Sequence, residues 1–349
     1  MKWKKDLYQI PPYHPGKKMP GSIKLSSNEN PLGPSPKALE AMRGALDSVH
    51  IYPPVVSSQL CETVADWRGC AADEIIFGNG SDEVFTMVGA TLLGPGRNAV
   101  GSENTFSQYE FAARMFGAEY RAAPTRNYQY DLQAMLSLID SSTSVVFLCS
   151  PNNPTGMIIP EPELREFLAA VPKDILVIID QAYREYAESE KYPETLDLLK
   201  EHPNLLITGT FSKIFGLAAL RIGYGIARPE VIHMLLRVKS PFNNSSLAQS
   251  AAIAAVRDNE FITRSIEFNR NSREYSSKLF SEAGLEFFPS ESNFLCVRSP
   301  SSDAAGDVRR LQEHGITVRD LHSFGMKEYM RITFSEPARM KQIADILKG

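Results

Sequence analysis

Ser144-Val-Val-Phe-Leu-Cys149, Pro151-Asn-Asn-Pro-Thr-Gly156, Ile175-Leu-Val-Ile-Ile179-Asp180 and Leu205-Leu-Ile-Thr208 follow one another through the middle of the chain. The three apolar runs are strand-sized and show no polar alternation, so both faces of each expect cover. Between them, Glu161 to Ala170 and residues 194 to 201 read as helices. Strands apolar on both faces that alternate with helices predict a mainly parallel sheet covered by helices. Crossovers between parallel strands are right-handed, which gathers the strand C-termini along one edge. Asn152 and Asn153, Asp180 and Lys213 each stand just past such a terminus. That edge is where open α/β sheets bind ligands.

Working outward, 349 residues exceed one typical core, and the character of the chain changes twice. Residues 1–34 are rich in Pro and Gly and read as an extended N-terminal arm. A helix is predicted to start after Pro34-Ser35-Pro36, with Ser35 as its cap and Pro36 in its first turn. Residues 35–243 form the large domain. Residues 244–349, with helices over Ser246–Val256 and Glu260–Ala283 and strands at Phe294–Val297, Ile316–Val318 and Tyr329–Phe334, form a smaller α+β domain. A hydrophobic fraction of 43% and a charged fraction of 22% fit an ordinary soluble globular protein. A net charge of -4 supplies no polycation for nucleic acid. No apolar stretch reaches the length of a membrane span, and the basic Lys2–Lys5 segment has no apolar region behind it. A cytoplasmic location is expected. The four cysteines show no Cys-x-x-Cys spacing and the six histidines are scattered, so no metal site is expected.

Lys213 lies in the apolar segment Phe211-Ser-Lys-Ile-Phe-Gly-Leu217. A lysine among such residues loses part of its preference for charge, which prepares its amine to attack a carbonyl carbon. Lysine, aspartate and asparagine on adjacent strand ends are the parts needed to hold pyridoxal phosphate. The lysine condenses with the aldehyde, and a carboxylate keeps the pyridine nitrogen protonated. Asp180 could supply that carboxylate, although alone it also reads as a helix cap. Tyr183 and Asn153 could meet the ring oxygen, and Tyr183 alone reads equally as packed core. Gly78-Asn-Gly80-Ser81-Asp82-Glu83 runs from a strand at Glu74–Phe77 into a helix, and such a turn can cradle a phosphate. With a phosphate there, the Asp82 and Glu83 carboxylates are expected to point away. Thr210, Ser212 and Arg221 could complete the shell, and Phe106 could stack on the ring or serve as core.

Asn28-Glu-Asn-Pro-Leu-Gly-Pro34, Tyr52-Pro53, Gly78-Asn-Gly-Ser-Asp-Glu83, Ser150-Pro-Asn-Asn-Pro-Thr-Gly156, Asp180-x-x-Tyr183, Ser212-Lys-x-Phe-Gly-Leu-Ala-x-Leu-Arg221 and Met330-Arg-Ile-Thr333 occur in this order. Together they resemble the fold-type-I pyridoxal-phosphate aminotransferases, in particular the histidinol-phosphate aminotransferase branch. Pro12-Tyr13-His-Pro-Gly16 and Gly315-Ile-Thr-Val-Arg319 are similar to that branch more narrowly. The resemblance implies Lys213 as the Schiff-base lysine and proton shuttle, with Asp180 at the pyridine nitrogen. Asn153 and Tyr183 would meet the ring oxygen. Gly80, Ser81, Asp82, Thr210, Ser212 and Arg221 would hold the cofactor phosphate, joined by Tyr52 from a second subunit of a homodimer.

On the substrate side the resemblance implies Arg331 for the carboxylate of the amino acid or 2-oxo acid, and Tyr13 and Arg319 for a distal phosphate, with Asn30 also at the substrate. The reaction implied is amino transfer between histidinol phosphate and 2-oxoglutarate, a step of histidine biosynthesis. The same scaffold is shared by aromatic or broad-range amino-acid aminotransferases and by a threonine-phosphate decarboxylase-like lyase, and these stay open. Several positions depart from the family pattern. Gln181 stands where Glu is frequent and Ala219 where Gly is frequent. Asn243-Asn-Ser-Ser replaces the usual Asn-Val-Asn, and Phe334-Ser-Glu replaces Ile-Gly-Thr.

Overall fold

Every residue of the apolar run Thr143–Cys149 is buried, and the pleat divides its side chains between two cores. The computed structural model describes residues 8, 10 and 21–348. In chain order the elements begin with β1 (Ile23–Lys24), α1 (Pro36–Ala45), α2 (Ser58–Arg68), β2 (Ile75–Gly78) and α3 (Ser81–Leu92). Next come β3 (Asn98–Ser102), α4 (Gln108–Met115), β4 (Glu119–Ala123), β5 (Thr125–Arg126), β6 (Gln129–Tyr130) and α5 (Leu132–Ser137). The centre is β7 (Thr143–Cys149), α6 (Glu161–Ala170), β8 (Leu176–Asp180), α7 (Thr195–Glu201), β9 (Leu205–Thr210) and β10 (Gly223–Ala227). The chain continues with α8 (Pro229–Leu236), α9 (Ser246–Val256), α10 (Asn259–Glu282), β11 (Phe294–Arg298) and α11 (Ala304–Glu313). It closes with β12 (Ile316–Thr317), β13 (Arg319–Asp320), β14 (Tyr329–Thr333) and α12 (Pro337–Lys348).

Seven strands form the main sheet in the order β2-β10-β9-β8-β7-β3-β4. From β9 to β4 neighbouring strands are parallel, whereas β10 is antiparallel to both β9 and β2. The segment from β9 to β10 carries no crossover α-helix, so the chain turns back beside the strand it has just left. Val146 and Leu148 face a core shared with α2, α6, α7 and α9, and Val145 and Phe147 face one shared with α3, α4 and α8. Phe147 is fully buried, and truncating it to alanine would cost about 3–5 kcal/mol. Ser35 caps α1 as expected, its hydroxyl accepting from the Lys37 and Ala38 amides at 3.1 and 3.3 Å.

A second sheet, β11-β14-β13, is antiparallel throughout. The expected strand at Ile316–Val318 is divided. Ile316 and Thr317 pair in parallel with Ile23 and Lys24, while Arg319 and Asp320 pair with β14. The N-terminal segment thus lends a strand to the C-terminal unit, and Leu25 joins that unit's core with Leu295, Ile316 and Ile332. Helix α9 lies beyond the expected boundary at residue 243, yet Ala248, Ala251, Ala252 and Ala255 pack into the core of the large sheet. Small alanine faces let it approach α1 and α2 closely. No helix among the described residues is long and apolar enough to cross a membrane.

Candidate functional site

The strand ends of the main sheet and the inner edge of the second sheet enclose a cavity of about 280 Å³. Asp180 is the last residue of β8, and Asn153 follows β7. Lys213 follows β9, and Gly80 caps α3, whose first residues are Ser81 and Asp82. From the other side come the segment Ser26–Glu29 and two arginines, Arg319 and Arg331. These arginines are register partners on the adjacent strands β13 and β14.

Lys213 is half-buried and lines the cavity, with Phe211, Ile214 and Phe215 fully buried around it. Burial first, and then the nearby Arg331 guanidinium, pull its amine from 10.5 down to about 8. Lys213 Nζ donates to the Ser27 carbonyl at 3.0 Å and sits 5.8 Å from the Tyr183 ring centre. Asp180 is 2% exposed. Its carboxylate accepts only neutral donors: Tyr109 Oη at 2.7 Å, Thr208 Oγ1 at 3.2 Å and the Ala182 amide at 3.2 Å. Burial pushes its carboxyl up to about 6, against the pull of the Tyr109 hydroxyl. Among the described residues no basic side chain forms an ion pair with Asp180. A carboxylate so placed fits a ligand that brings its own positive charge.

The turn from β2 into α3 is built for an oxyanion. Gly80 has φ +74°, and an added Cβ would lie 2.8 Å from Arg221 Nη2. A Cβ at Gly223 would fall on the Ser81 amide, so two glycines keep this approach open. The first amides of α3 have no partner within the helix and carry its positive end. Thr210 Oγ1 accepts from the Ser212 amide at 3.1 Å, and Arg221 Nη1 donates to Ser212 Oγ at 3.5 Å. Glu83 turns away as expected, its carboxylate accepting from the Asn79 amide at 2.6 Å and Asn243 Nδ2 at 2.7 Å. Asp82 does not. It lines the cavity, and its carboxylate pairs with the Arg221 guanidinium across the turn at 3.3 Å.

Tyr183 Oη accepts from Asn28 Nδ2 at 2.9 Å. Arg331 donates to Asn153 Oδ1 and, at 2.8 Å, to the Ser26 carbonyl. Arg319 donates to Ser323 Oγ at 3.3 Å. Phe106 lines the cavity and meets Tyr109 edge-on at 5.7 Å between ring centres. Two expected residues, Asn30 and Tyr52, are not brought together with these. Asn30 lies outside the lining, its amide donating to the Ile214 carbonyl at 2.8 Å and Ser265 Oγ at 3.1 Å. Tyr52 is 78% exposed and stacked on Phe242 at 4.6 Å, away from this chain's cavity. Tyr13 lies outside the described residues. Conversely, Asn28, Tyr109 and Thr208 touch the site's key side chains without having been given a role from sequence. Phe106 and Tyr109 are three residues apart at the start of a helix, and that spacing is the signal that could have added Tyr109.

The residues present fit pyridoxal phosphate: a glycine-opened helix N-terminus beside Arg221, a depressed lysine amine, and a buried carboxylate without a cation. Comparison with known proteins points the same way. The sequence model of the family described as "Aminotransferase class I and II" matches residues 20–347. The chain is 40% identical to a histidinol-phosphate aminotransferase of Halalkalibacterium halodurans, covering 99% of this chain and 97% of that one. It is 41% identical to histidinol-phosphate aminotransferase 2 of Pseudomonas fluorescens, covering 98% and 95%. In three dimensions it is similar to the histidinol-phosphate aminotransferase of Sinorhizobium meliloti solved in complex with pyridoxal 5'-phosphate. That match has a TM-score of 0.86 and 26% identity, and covers 93% of this chain and 90% of the other.

Proposed function

This chain belongs to the class I and II aminotransferases, in their histidinol-phosphate aminotransferase branch, and we propose that it exchanges an amino group between histidinol phosphate and 2-oxoglutarate. Pyridoxal phosphate, when bound, supplies a carbonyl carbon for the amine and an electron sink for charge developing at the substrate Cα. Its phosphate would be held by the main chain of Gly80, Ser81 and Asp82 and by Thr210, Ser212 and Arg221, whose guanidinium would exchange its Asp82 partner for the phosphate. Asp180 would serve the ring nitrogen, Asn153 and Tyr183 the ring oxygen, and Phe106 the ring face.

Lys213 Nζ takes the proton from the substrate Cα. Burial and then Arg331 lower its amine to about 8, so far more of it is neutral near pH 7.5 than of an ordinary lysine, as a base requires. Arg331, oriented by Ser26 and Asn153, receives the carboxylate of glutamate or 2-oxoglutarate. Arg319 receives the distal phosphate of histidinol phosphate. What carries the substrate reading is the arginine pair on β13 and β14, a second cationic locus opposite Lys213 and Arg221. A cofactor with one phosphate leaves that second locus for a substrate anion.

Tyr52 belongs to this reading as a residue given to a second copy of the chain. It stands in an exposed apolar segment with Val49, Ile51, Val55 and Val56, which suits a homodimer interface. The test is a half-reaction screen that follows the cofactor's absorbance against histidinol phosphate, phenylalanine, glutamate and threonine phosphate. Histidinol phosphate should have the highest kcat/KM. Arg319→Ala should lower it by about 10- to 100-fold while changing phenylalanine by less than about threefold, as expected for one charge-assisted contact. Equal losses for both would remove the argument for a phosphorylated substrate.

A further inference from the structure

Asn28 is 1% exposed, sits at φ +56°, and has each of its polar groups engaged. Its amide N–H donates to Thr333 Oγ1 at 3.0 Å, and its carbonyl accepts from Asn293 Nδ2 at 2.9 Å. Thr333 Oγ1 in turn donates to Asn28 Oδ1 at 3.3 Å. That fixes which end of the side-chain amide points at the cavity: Nδ2, which donates to Tyr183 Oη at 2.9 Å. A phenol has one proton to give. With its oxygen already accepting from Asn28, that proton is left for an acceptor elsewhere, and Tyr183 lines the cavity.

We propose that Asn28, held by Thr333, is a positioning residue that sets the direction of the Tyr183 hydroxyl, making it a committed donor into the cavity. This rests on the reading that Tyr183 meets the cofactor's ring oxygen. A hydrogen bond donated to that oxygen draws off negative charge and lowers the proton affinity of the nitrogen beside it. The relay runs from the C-terminal unit through the N-terminal segment to the large domain, so Asn28 couples three distant parts of the sequence at one oxygen.

The test is a pH titration of visible absorbance in the holoenzyme without substrate. Asn28→Asp presents an acceptor where the donor stood and draws the phenol proton out of the cavity. Its midpoint should rise with that of Tyr183→Phe, by about one pH unit. Asn28→Gly keeps the left-handed backbone at no steric cost and deletes only the side chain, and its midpoint should rise by less. Thr333→Val should also rise by less than Asn28→Asp. Because a carboxylate also raises the midpoint through its charge, Asn28→Asp is compared with and without Tyr183→Phe. A rise that vanishes in the Tyr183→Phe background is the signature of hydrogen-bond direction, and a rise that persists there would overturn the proposal. A shift in Tyr183→Phe with both Asn28 variants at the wild-type midpoint would overturn the proposal alone. No shift in Tyr183→Phe would overturn the reading of Tyr183 beneath it and the proposal with it.

Discussion

Replacing Lys213 by methionine should abolish activity in the cofactor-loaded protein and stabilise the cofactor-free fold at neutral pH. Methionine keeps an unbranched apolar stem and carries no charge. In the folded chain, burial and then Arg331 lower the lysine amine from 10.5 to about 8, a displacement equivalent to roughly 3 kcal/mol. Below about pH 8 the amine is protonated in both states and the folded chain bears that full cost. Between about 8 and 10.5 the unfolded chain holds a proton that the folded chain has lost, so wild-type stability rises with pH through this window. Methionine removes the cost, and it also removes the bond to the Ser27 carbonyl, worth about 1 kcal/mol. The variant should therefore be about 2 kcal/mol more stable at pH 7, with the gain gone by about pH 10. Urea unfolding at pH 7, 8.5 and 9.5 measures this. Trp67, edge-on to Phe215 at 5.4 Å, reports from beneath the lysine segment. A variant less stable than wild type at pH 7, or one whose gain is unchanged at pH 9.5, would refute the argument from burial.

Asp180→Asn tests the opposite charge. Burial raises that carboxyl from 3.8 to about 6, so stability falls as pH rises through this window and the cost, roughly 3 kcal/mol, is complete above it. The asparagine variant should be more stable than wild type without cofactor at pH 7, with the advantage shrinking below about pH 6, and equilibrium dialysis should show weaker cofactor binding. Gly216→Ala should lower the denaturation midpoint by an amount equivalent to about 2 kcal/mol or more. Gly216 has φ +67° and an added Cβ would fall on the Gly33 carbonyl.

The large sheet was legible because its central strands are buried on both faces, and continuous apolar runs such as Val145–Leu148 have few other readings. The same runs carried Asn153, Asp180 and Lys213 to one edge, since parallel crossovers leave the strand ends there. What stayed hidden depends on contacts that no local pattern encodes. β12 and β13 are two residues each, and their separate partners, β1 and β14, are chosen by tertiary packing. Tyr109 and Asn28 act on Asp180 and Tyr183 across 71 and 155 residues of sequence. Asp82 was expected to point outward from a phosphate. In the structure it takes the guanidinium instead, a preference set by charge across the turn rather than by the turn's own sequence.

The reversed strand β10 has a mechanical meaning. Thr210 and Gly223 face each other across β9 and β10, so the segment bearing Lys213 and Arg221 leaves and re-enters the sheet between hydrogen-bonded neighbours. It is a loop anchored at both feet to adjacent, hydrogen-bonded strands of the main sheet. The facing wall is anchored elsewhere: Ser26 to Glu29 follow a two-residue strand pair, and Arg319 and Arg331 belong to a separate sheet of three strands. The cavity therefore has walls anchored in two different sheets, with Lys213 and the Gly80–Asp82 turn on the wall of the larger one. The Ser27 carbonyl, accepting from Lys213, ties the two walls together, while the Ser26 carbonyl holds Arg331 within its own wall.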